Sequence, residues 1–291
     1  MKKIGFVGLG AIGTPMATNL VAGGFEVRGY DVRPEAVAAL AQAGATGAGS
    51  AAEAAEGADV LILMVVNAAQ AEAVLFGAGA AEALPVGGVV ALMSTCPPGA
   101  VAALAERVEA LGRRFVDAPV SGGVAGAKAA TLSIMAAGPA ALVEEVRPAF
   151  EALGDKIFHV GEKPGQGAAV KTVNQLLCGV HIAASAEALA LAGRMGVNPA
   201  VALRILGGSS AASWMLNDRG PRMLEAEPEV TSAVDIFVKD LGIVMEAGTE
   251  AKAPLPLAAL AHQLFLATSG RGDGKADDSQ VIRAYRAMTG E

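Results

Sequence analysis

Cysteine, histidine and aromatic residues are all scarce in this chain of 291 residues. Its two cysteines, Cys96 and Cys178, are too few and too far apart for a disulfide framework, and with three scattered histidines they form no pattern of metal ligands. Positive charge is also limited: 22 lysines and arginines stand against 29 acidic residues, and the net charge is −7. We therefore expect a cytoplasmic protein without a metal ion and without a nucleic-acid partner.

The sequence also lacks an apolar segment typical of a membrane span. Residues 167–195 are largely apolar, but they include Lys171, Asn174, Gln175 and Glu187, and a helix in lipid would not carry so many polar groups. Hydrophobic residues make up 53% of the chain and charged residues 18%, which favours a folded protein with an ample core. The sequence thus predicts a buried helix in this region and no membrane partner.

The order of predicted elements indicates an α/β fold with two domains. Short apolar runs alternate with alanine-rich segments in the first half, which is typical of a doubly wound parallel sheet. Strands are predicted at residues 3–7, 26–30, 59–66, 88–93, 114–117, 132–137 and 156–159. A glycine-rich linker at 161–167 then leads to an all-helical part that begins with a helix of about thirty residues. We expect domains at 1–163 and 164–291. For the only tryptophan, Trp214, packing in the second core is favoured over a place in the lining of the cleft.

Three glycines follow the first predicted strand. The sequence Gly-Leu-Gly-Ala-Ile-Gly joins that strand to a predicted helix. Gly8 permits a tight turn, Gly10 lets the backbone approach a pyrophosphate, and Gly13 lets the helix close onto the strand. Ala11 and Ile12 lie at the start of the helix, where unpaired N–H groups and a partial positive charge attract phosphate. The motif predicts a Rossmann domain that binds a dinucleotide.

An acidic residue, Asp31, stands at the end of the second predicted strand, eighteen residues after Gly13. A carboxylate at this position can accept hydrogen bonds from the ribose hydroxyls of NAD, and it repels the 2′-phosphate of NADP. Arg33, two residues further on, leaves use of NADP open. Because an acid that merely ends an exposed strand would not need the preceding glycines, we expect NAD as the cofactor.

Four polar residues recur at helical spacing in the long helix of the second domain. Lys171, Asn174, Gln175 and Cys178 stand at positions i, i+3, i+4 and i+7, so they share one face. A lone lysine near a helix start is most often solvated. The two neighbouring amides on the same face instead favour a polar cleft.

These motifs together resemble those of the β-hydroxyacid dehydrogenase family, which includes 3-hydroxyisobutyrate dehydrogenase and tartronate semialdehyde reductase. The resemblance spans essentially the whole chain, and its four motifs occur in the order that the family has. They are GLGAIG at 8–13, DAPVSGG at 117–123, GQGAAVKTVN at 165–174 and KDL at 239–241.

The resemblance implies a role for each matching position. Lys171 matches the catalytic lysine of the family. Substrate contacts are implied for Ser121, Gly122, Gly123 and Asn174. Cofactor contacts are implied for Gly8, Gly10, Ala11, Ile12, Gly13, Asp31, Val65, Val66, Thr95 and Lys239, although the family has Leu-Pro more often than the two valines. From the residues alone, a Ser-Gly-Gly turn at a strand end can also form an anion-binding nest.

The resemblance further implies NAD-dependent oxidation of a small hydroxylated carboxylic acid. Residues 65–70, 179–184 and 232–241 are similar to the branch of the family that acts on L-threonate, which makes L-threonate the expected substrate. 3-Hydroxyisobutyrate and tartronate semialdehyde are the alternatives, and a non-catalytic dinucleotide-binding module is a remote one. We expect burial to lower the pKa of Lys171, so that it can accept a proton near neutrality. The apolar helical domain favours a homodimer or homotetramer.

Overall fold

The strands of the first half form one sheet in the computed structural model, which describes residues 2–288. They are β1 Lys3–Val7, β2 Glu26–Tyr30, β3 Thr46–Gly47, β4 Val60–Leu63, β5 Val89–Leu92, β6 Arg114–Asp117, β7 Val120–Ser121, β8 Ser133–Ala137 and β9 Lys156–Gly161. The order across the sheet is β3-β2-β1-β4-β5-β6-β8-β7, and β9 pairs with β8. The order runs outward in both directions from β1 and β4, so the sheet is doubly wound as predicted.

One part of the sheet departs from the expected parallel arrangement. Strands β1 to β6 pair in parallel, but β8 runs antiparallel to both β6 and β7. Four of the five residues of β8 are buried. Because a strand that is apolar on both faces has the same composition in either direction, its sequence could not reveal this reversal.

The helices alternate with the strands and then continue alone. In the first half they are α1 Gly13–Ala22, α2 Pro34–Gln42, α3 Ala51–Ala55, α4 Ala68–Glu72, α5 Ala80–Ala83, α6 Pro98–Ala110, α7 Gly123–Ala129 and α8 Ala140–Glu151. They are followed by α9 Gln166–Arg194, α10 Pro199–Gly207, α11 Trp214–Met223, α12 Val234–Glu250, α13 Pro256–Thr268 and α14 Ile282–Met288. The predicted helix of about thirty residues is confirmed as α9, which has 29.

Alternation along the strands builds one apolar layer on each face of the sheet. Phe6 and Ile62 point to the layer that contains α1 and α8, whereas Leu61 and Leu63 point to the layer that contains α3 and α6. Successive side chains of a strand point to opposite faces, so a strand that is apolar throughout supplies both layers. This double cover explains why β4 and β5 are buried at every residue.

The chain divides into two compact units, Met1–Lys171 and Thr172–Glu291. The first contains the sheet, and the second has its own apolar core, which includes Phe237 and Phe265 with ring centroids 5.1 Å apart. Helix α9 is continuous from the first unit into the second. By length and composition alone α9 could cross a membrane, a test that core helices of water-soluble proteins also pass.

Trp214 is not packed in the second core, so that prediction is wrong. The residue begins α11 and is 55% exposed, with the Arg219 guanidinium 5.9 Å from the centre of its ring. Arg219 itself is buried and donates two hydrogen bonds of 2.9 Å to the fully buried carboxylate of Asp278. The indole therefore lies near a buried ion pair with more than half of its surface exposed, and a tryptophan in a sequence gives no indication of such a placement.

Candidate active site

The three glycines after β1 differ in the space around them. A Cβ at Gly8 would lie 2.3 Å from the backbone oxygen of Met64, and Gly8 has a φ of +99°. A Cβ at Gly13 would lie 1.9 Å from the backbone oxygen of Gly8. At Gly10 a Cβ would meet no atom within 4 Å. The first and third glycines are thus required by packing, whereas the second borders open space, as close approach of a ligand to the backbone requires.

The start of α1 offers backbone donors toward that space. No side chain caps this helix, although Ile12 stands at its N-cap position and Ala11 precedes it. Ala11 is exposed and Ile12 is half-buried. Uncapped N–H groups at a helix start attract anions, so this turn fits a pyrophosphate.

The Asp31 carboxylate lies beside the glycine turn. Its Oδ2 accepts a hydrogen bond of 2.7 Å from the Leu9 N–H, and its Oδ1 accepts from Nε of Arg33 at 2.9 Å. Burial acts to raise the pKa of Asp31, but the hydrogen bonds from Arg33 and Leu9 outweigh it, and the pKa lies below the usual value. The carboxylate is therefore ionised at neutral pH, and the nearby guanidinium of Arg33 is engaged with it.

Val65, Val66 and Thr95 follow the carboxyl ends of β4 and β5. The predicted strand at 59–66 is shorter than expected, so both valines lie beyond its end. The hydroxyl of buried Ser94 accepts a hydrogen bond of 2.8 Å from the Val65 N–H. Ser94 thereby ties the two segments together, a link that the sequence analysis missed. Ligands of doubly wound sheets bind at these strand ends.

The Ser121–Gly123 segment turns from β7 into α7. Gly122 and Gly123 have φ angles of +135° and +62°, conformations that glycine adopts at little cost. No side chain caps α7, and the three residues are half-buried. Backbone N–H groups in such a turn can hold a carboxylate.

Asp117, at the end of β6, was quoted within a motif but given no role by the sequence analysis. Its side chain is fully buried, and its Oδ2 accepts hydrogen bonds from the N–H groups of Gly165 at 2.9 Å and Ala168 at 2.8 Å. The Gly167 N–H also donates to it. Burial raises the pKa of Asp117 to about 6, although these three donors act to lower it. A carboxylate of the sheet thus anchors the first turn of α9.

Lys171 ends the first unit, five residues into α9, and is 6% exposed. The next three members of its predicted polar face belong to the second unit. There Nδ2 of Asn174 lies 2.8 Å from Oε1 of Gln175 and 3.3 Å from Sγ of Cys178, which confirms that these side chains are neighbours. Lys239, on α12, forms an ion pair of 2.8 Å with Asp240. Each unit therefore carries part of the predicted site: Asn174 and Lys239 in the second, the rest in the first.

Metal-ligand groups and one further cavity are the other features to compare with the predicted site residues. Between residues 2 and 288, no three histidine, cysteine, aspartate or glutamate side chains are grouped as metal ligands. A cavity of about 350 Å³ beside Arg113, Arg114 and Glu145 includes none of the predicted site residues. The geometry thus directs attention to the carboxyl ends of the strands and to α9.

Comparison with known proteins supplies a family. Residues 3–161 match the family described as the NAD binding domain of 6-phosphogluconate dehydrogenase. Residues 165–285 match the family described as the NAD-binding domain of NADP-dependent 3-hydroxyisobutyrate dehydrogenase. The two matches together cover nearly the whole chain.

Individual relatives are also similar to this chain over nearly its full length. L-threonate dehydrogenase of Cupriavidus necator is 44% identical, over 98% of this chain and 96% of its own. L-threonate dehydrogenase of Escherichia coli K12 is 40% identical, over 98% and 95%. The crystal structure of a 3-hydroxyisobutyrate dehydrogenase from Salmonella typhimurium has a TM-score of 0.92 and 38% identity, over 97% of this chain and 99% of that one. The chain belongs to the β-hydroxyacid dehydrogenase family.

Membership in the family confirms the predicted fold class, cofactor and type of enzyme. This β-hydroxyacid dehydrogenase is an NAD-dependent oxidoreductase with an N-terminal Rossmann domain and a helical C-terminal part. The open backbone at Gly10 and the ionised Asp31 beside it fit the cofactor, since they offer space for a pyrophosphate and an acceptor for ribose hydroxyls.

Proposed function

We propose that this enzyme oxidises L-threonate to 2-dehydro-L-erythronate with NAD. The observation that carries the proposal is the buried Lys171 on α9, one turn before Asn174, in a chain 44% identical to an L-threonate dehydrogenase. A merely dinucleotide-binding module would not need a lysine side chain buried at this place. 3-Hydroxyisobutyrate is the second candidate substrate, because a relative with that activity matches along the whole chain. Tartronate semialdehyde is the third.

The glycine turn after β1 and the ends of β2, β4 and β5 would hold the cofactor. Gly8, Gly10, Ala11, Ile12 and Gly13 would face its pyrophosphate, and Asp31 would accept from the adenosine ribose. Val65, Val66, Thr95 and Lys239 would contact the rest. These residues would hold the nicotinamide, which would supply the hydride acceptor for the carbon that carries the reacting hydroxyl. The ionised Asp31, with Arg33 already engaged, disfavours the 2′-phosphate of NADP.

Backbone and side-chain groups of the protein would bind the hydroxy acid and accept the proton of its reacting hydroxyl. The backbone N–H groups and hydroxyl of the Ser121–Gly123 segment would hold the carboxylate. Nζ of Lys171 would accept the proton that leaves the reacting hydroxyl, and Asn174 would hold the substrate beside it. Binding the carboxylate and the hydroxyl at separate points fixes which carbon faces the nicotinamide.

We infer in addition that the enzyme is a cytoplasmic homodimer or homotetramer. Leu257 and Leu260 of α13 are 67% and 61% exposed and stand three residues apart, on one side of the helix. Exposed leucines at this spacing support burial against another subunit.

The first test is formation of the reduced cofactor with L-threonate, 3-hydroxyisobutyrate and D-glycerate, as NADH when NAD is supplied and as NADPH when NADP is supplied. We expect the highest kcat/KM with L-threonate and NAD. The variant Lys171→Ala should lower kcat by at least about 100-fold, which is typical for loss of a proton acceptor. Its affinity for NADH should stay within about threefold, because the lysine is assigned to the substrate.

Lys171→Arg provides a matched control, because it keeps a long side chain with N–H donors but cannot accept a proton. Arginine remains protonated in proteins, so this variant should be as slow as the alanine variant. Wild-type turnover in either variant would contradict the role of Lys171. A preference for 3-hydroxyisobutyrate would replace the substrate and keep the mechanism, whereas NADH binding without turnover of any hydroxy acid would leave a binding module.

A further inference from the structure

A chain of polar contacts in the second unit connects α9 with α12. Nε2 of Gln175 donates a hydrogen bond to Oδ2 of Asp240, and Oε1 of Gln175 accepts from Nδ2 of Asn174 at 2.8 Å. Asp240 also forms the ion pair with Lys239. Gln175 and Asp240 are 7% and 2% exposed, whereas Asn174 is half-buried. We call Asn174, Gln175 and Asp240 the amide relay.

Elementary chemistry fixes the direction of the amide relay. A carboxylate in an ion pair, as Asp240 is with Lys239, can only accept hydrogen bonds, so Gln175 turns its amide nitrogen toward Asp240. The amide oxygen of Gln175 then faces Asn174, which must donate with its own nitrogen. Turning either amide over would bring two acceptor oxygens together in a buried place, which is unfavourable.

The amide relay determines which side-chain atom of Asn174 can bind a ligand. Its Nδ2 faces Oε1 of Gln175 and also Sγ of Cys178, so both of its N–H bonds are directed into the second unit. The amide oxygen, Oδ1, can only accept. A substrate carboxylate, which also only accepts, cannot pair with it, and neither can a methyl group. A hydroxyl can donate to it.

We propose that Gln175 and Asp240 are positioning residues that hold Asn174 as a hydrogen-bond acceptor and thereby select substrates with a second hydroxyl, on the carbon next to the reacting one. The proposal rests on the proposed function, in which Asn174 contacts the substrate. Residues three apart on a helix are neighbours, with Cβ atoms about 5–6 Å apart, so Lys171 and Asn174 can serve adjacent hydroxyls of one molecule. The site would therefore favour a vicinal dihydroxy acid over a monohydroxy acid.

The wild-type enzyme tests this selectivity directly. Its kcat/KM is measured with L-threonate and with 2,4-dihydroxybutanoate of the same configuration at C2, which lacks only the 3-hydroxyl. We expect the deoxy compound to be poorer by about tenfold or more, the effect of one lost hydrogen bond. Equal values would overturn the relay proposal and leave the dehydrogenase assignment intact. Absence of turnover with every hydroxy acid would instead overturn the proposed function and the inference together.

The variant Gln175→Leu tests the relay itself. Without Gln175 the Asn174 amide is free to turn and present its nitrogen, so the ratio of kcat/KM between the two substrates should fall about tenfold, toward one. Equal losses with both substrates would indicate a merely structural role and would overturn the proposal. Ser185→Ala, which removes a 2.6 Å hydrogen bond to the His181 carbonyl on the same helix, should keep the wild-type ratio. If Gln175→Leu does not fold, as judged by circular dichroism, the wild-type comparison alone decides.

Discussion

At the scale of single residues, the glycines after β1 meet two different requirements: close backbone packing and open space for a ligand. Gly8 and Gly13 have backbone atoms where a side chain would stand, whereas Gly10 has open space. The close contacts at Gly8 and Gly13 agree with the roles predicted from a strand-turn-helix unit, whereas the contact of Gly10 with a pyrophosphate stays a prediction. Ser94 was missed because its hydroxyl contacts a residue 29 positions away, a proximity that only the folded sheet creates.

The matched variants Gly10→Ala and Gly13→Ala should therefore fail in different ways. Gly10→Ala should keep the wild-type free energy of unfolding within about 0.5 kcal/mol, because no atom meets the new methyl group. Its Kd for NADH should rise by about tenfold or more, since the methyl group occupies the space offered to the pyrophosphate. Gly13→Ala should lose about 3 kcal/mol of stability or fail to fold. Urea unfolding and NADH fluorescence titration measure the two effects, and wild-type NADH affinity in Gly10→Ala would contradict the assignment.

At the scale of elements, most of the sheet could be predicted, and the exceptions have physical causes. Strands β1, β2 and β6 have the predicted bounds, because apolar runs bounded by turn residues are distinctive. The short helices α3 and α5 were missed, since five alanine-rich residues or fewer show no helical period and are stabilised by packing alone. The anchoring of α9 by Asp117 was missed for a related reason: the two are about 50 residues apart in sequence.

This anchor predicts an unusual pH dependence of stability. The pKa of Asp117 in the folded protein is about 6, above its ordinary value of 3.8, so the folded state binds more protons between these two pH values. The contribution of Asp117 to stability therefore increases as the pH falls from above 6 to about 4. Because the side chain of Asp117→Asn does not titrate, the stability advantage of wild type over this variant should grow by up to about 3 kcal/mol across that range.

Urea unfolding at about pH 7.5, 6 and 4.5 measures this change. Asp59→Asn is the control: the N–H groups of Lys3 and Lys2 hold the pKa of Asp59 below its ordinary value. The advantage of wild type over that variant should not grow on acidification, because a lowered pKa has the opposite sign. Parallel pH profiles for wild type and Asp117→Asn would show that Asp117 does not titrate in this range.

At the scale of the whole molecule, the sequence indicated a Rossmann sheet followed by helices, and the fold confirms this arrangement. The antiparallel direction of β8 and the exposure of Trp214 could not be predicted from the sequence. Strand direction and the burial of a single aromatic residue depend on partners that are distant along the chain. The boundary expected at 163/164 lies eight residues before the point where the first compact unit ends.

The oligomeric state is the prediction that belongs to this scale. Light scattering coupled to size-exclusion chromatography should give two or four times the chain mass of 28.9 kDa. The double variant Leu257→Glu/Leu260→Glu should reduce the measured mass, because charges would then replace apolar side chains at the proposed subunit contact. Val86→Glu, at a 78% exposed position of the first unit, should leave the mass unchanged. A wild-type mass of one chain would contradict the oligomer.

The continuity of α9 has a consequence for synthesis on the ribosome. Its residues Ile182, Ala183, Ala186 and Leu189 are buried in a core whose other members extend from Met215 to Ala284. The sheet of the first unit is complete by Gly161, before α9 has been translated. At about 5–20 residues per second, the apolar side of the nascent α9 therefore waits several seconds for its covering helices. During that interval we expect the exposed apolar side chains of α9 to make the nascent chain prone to aggregation.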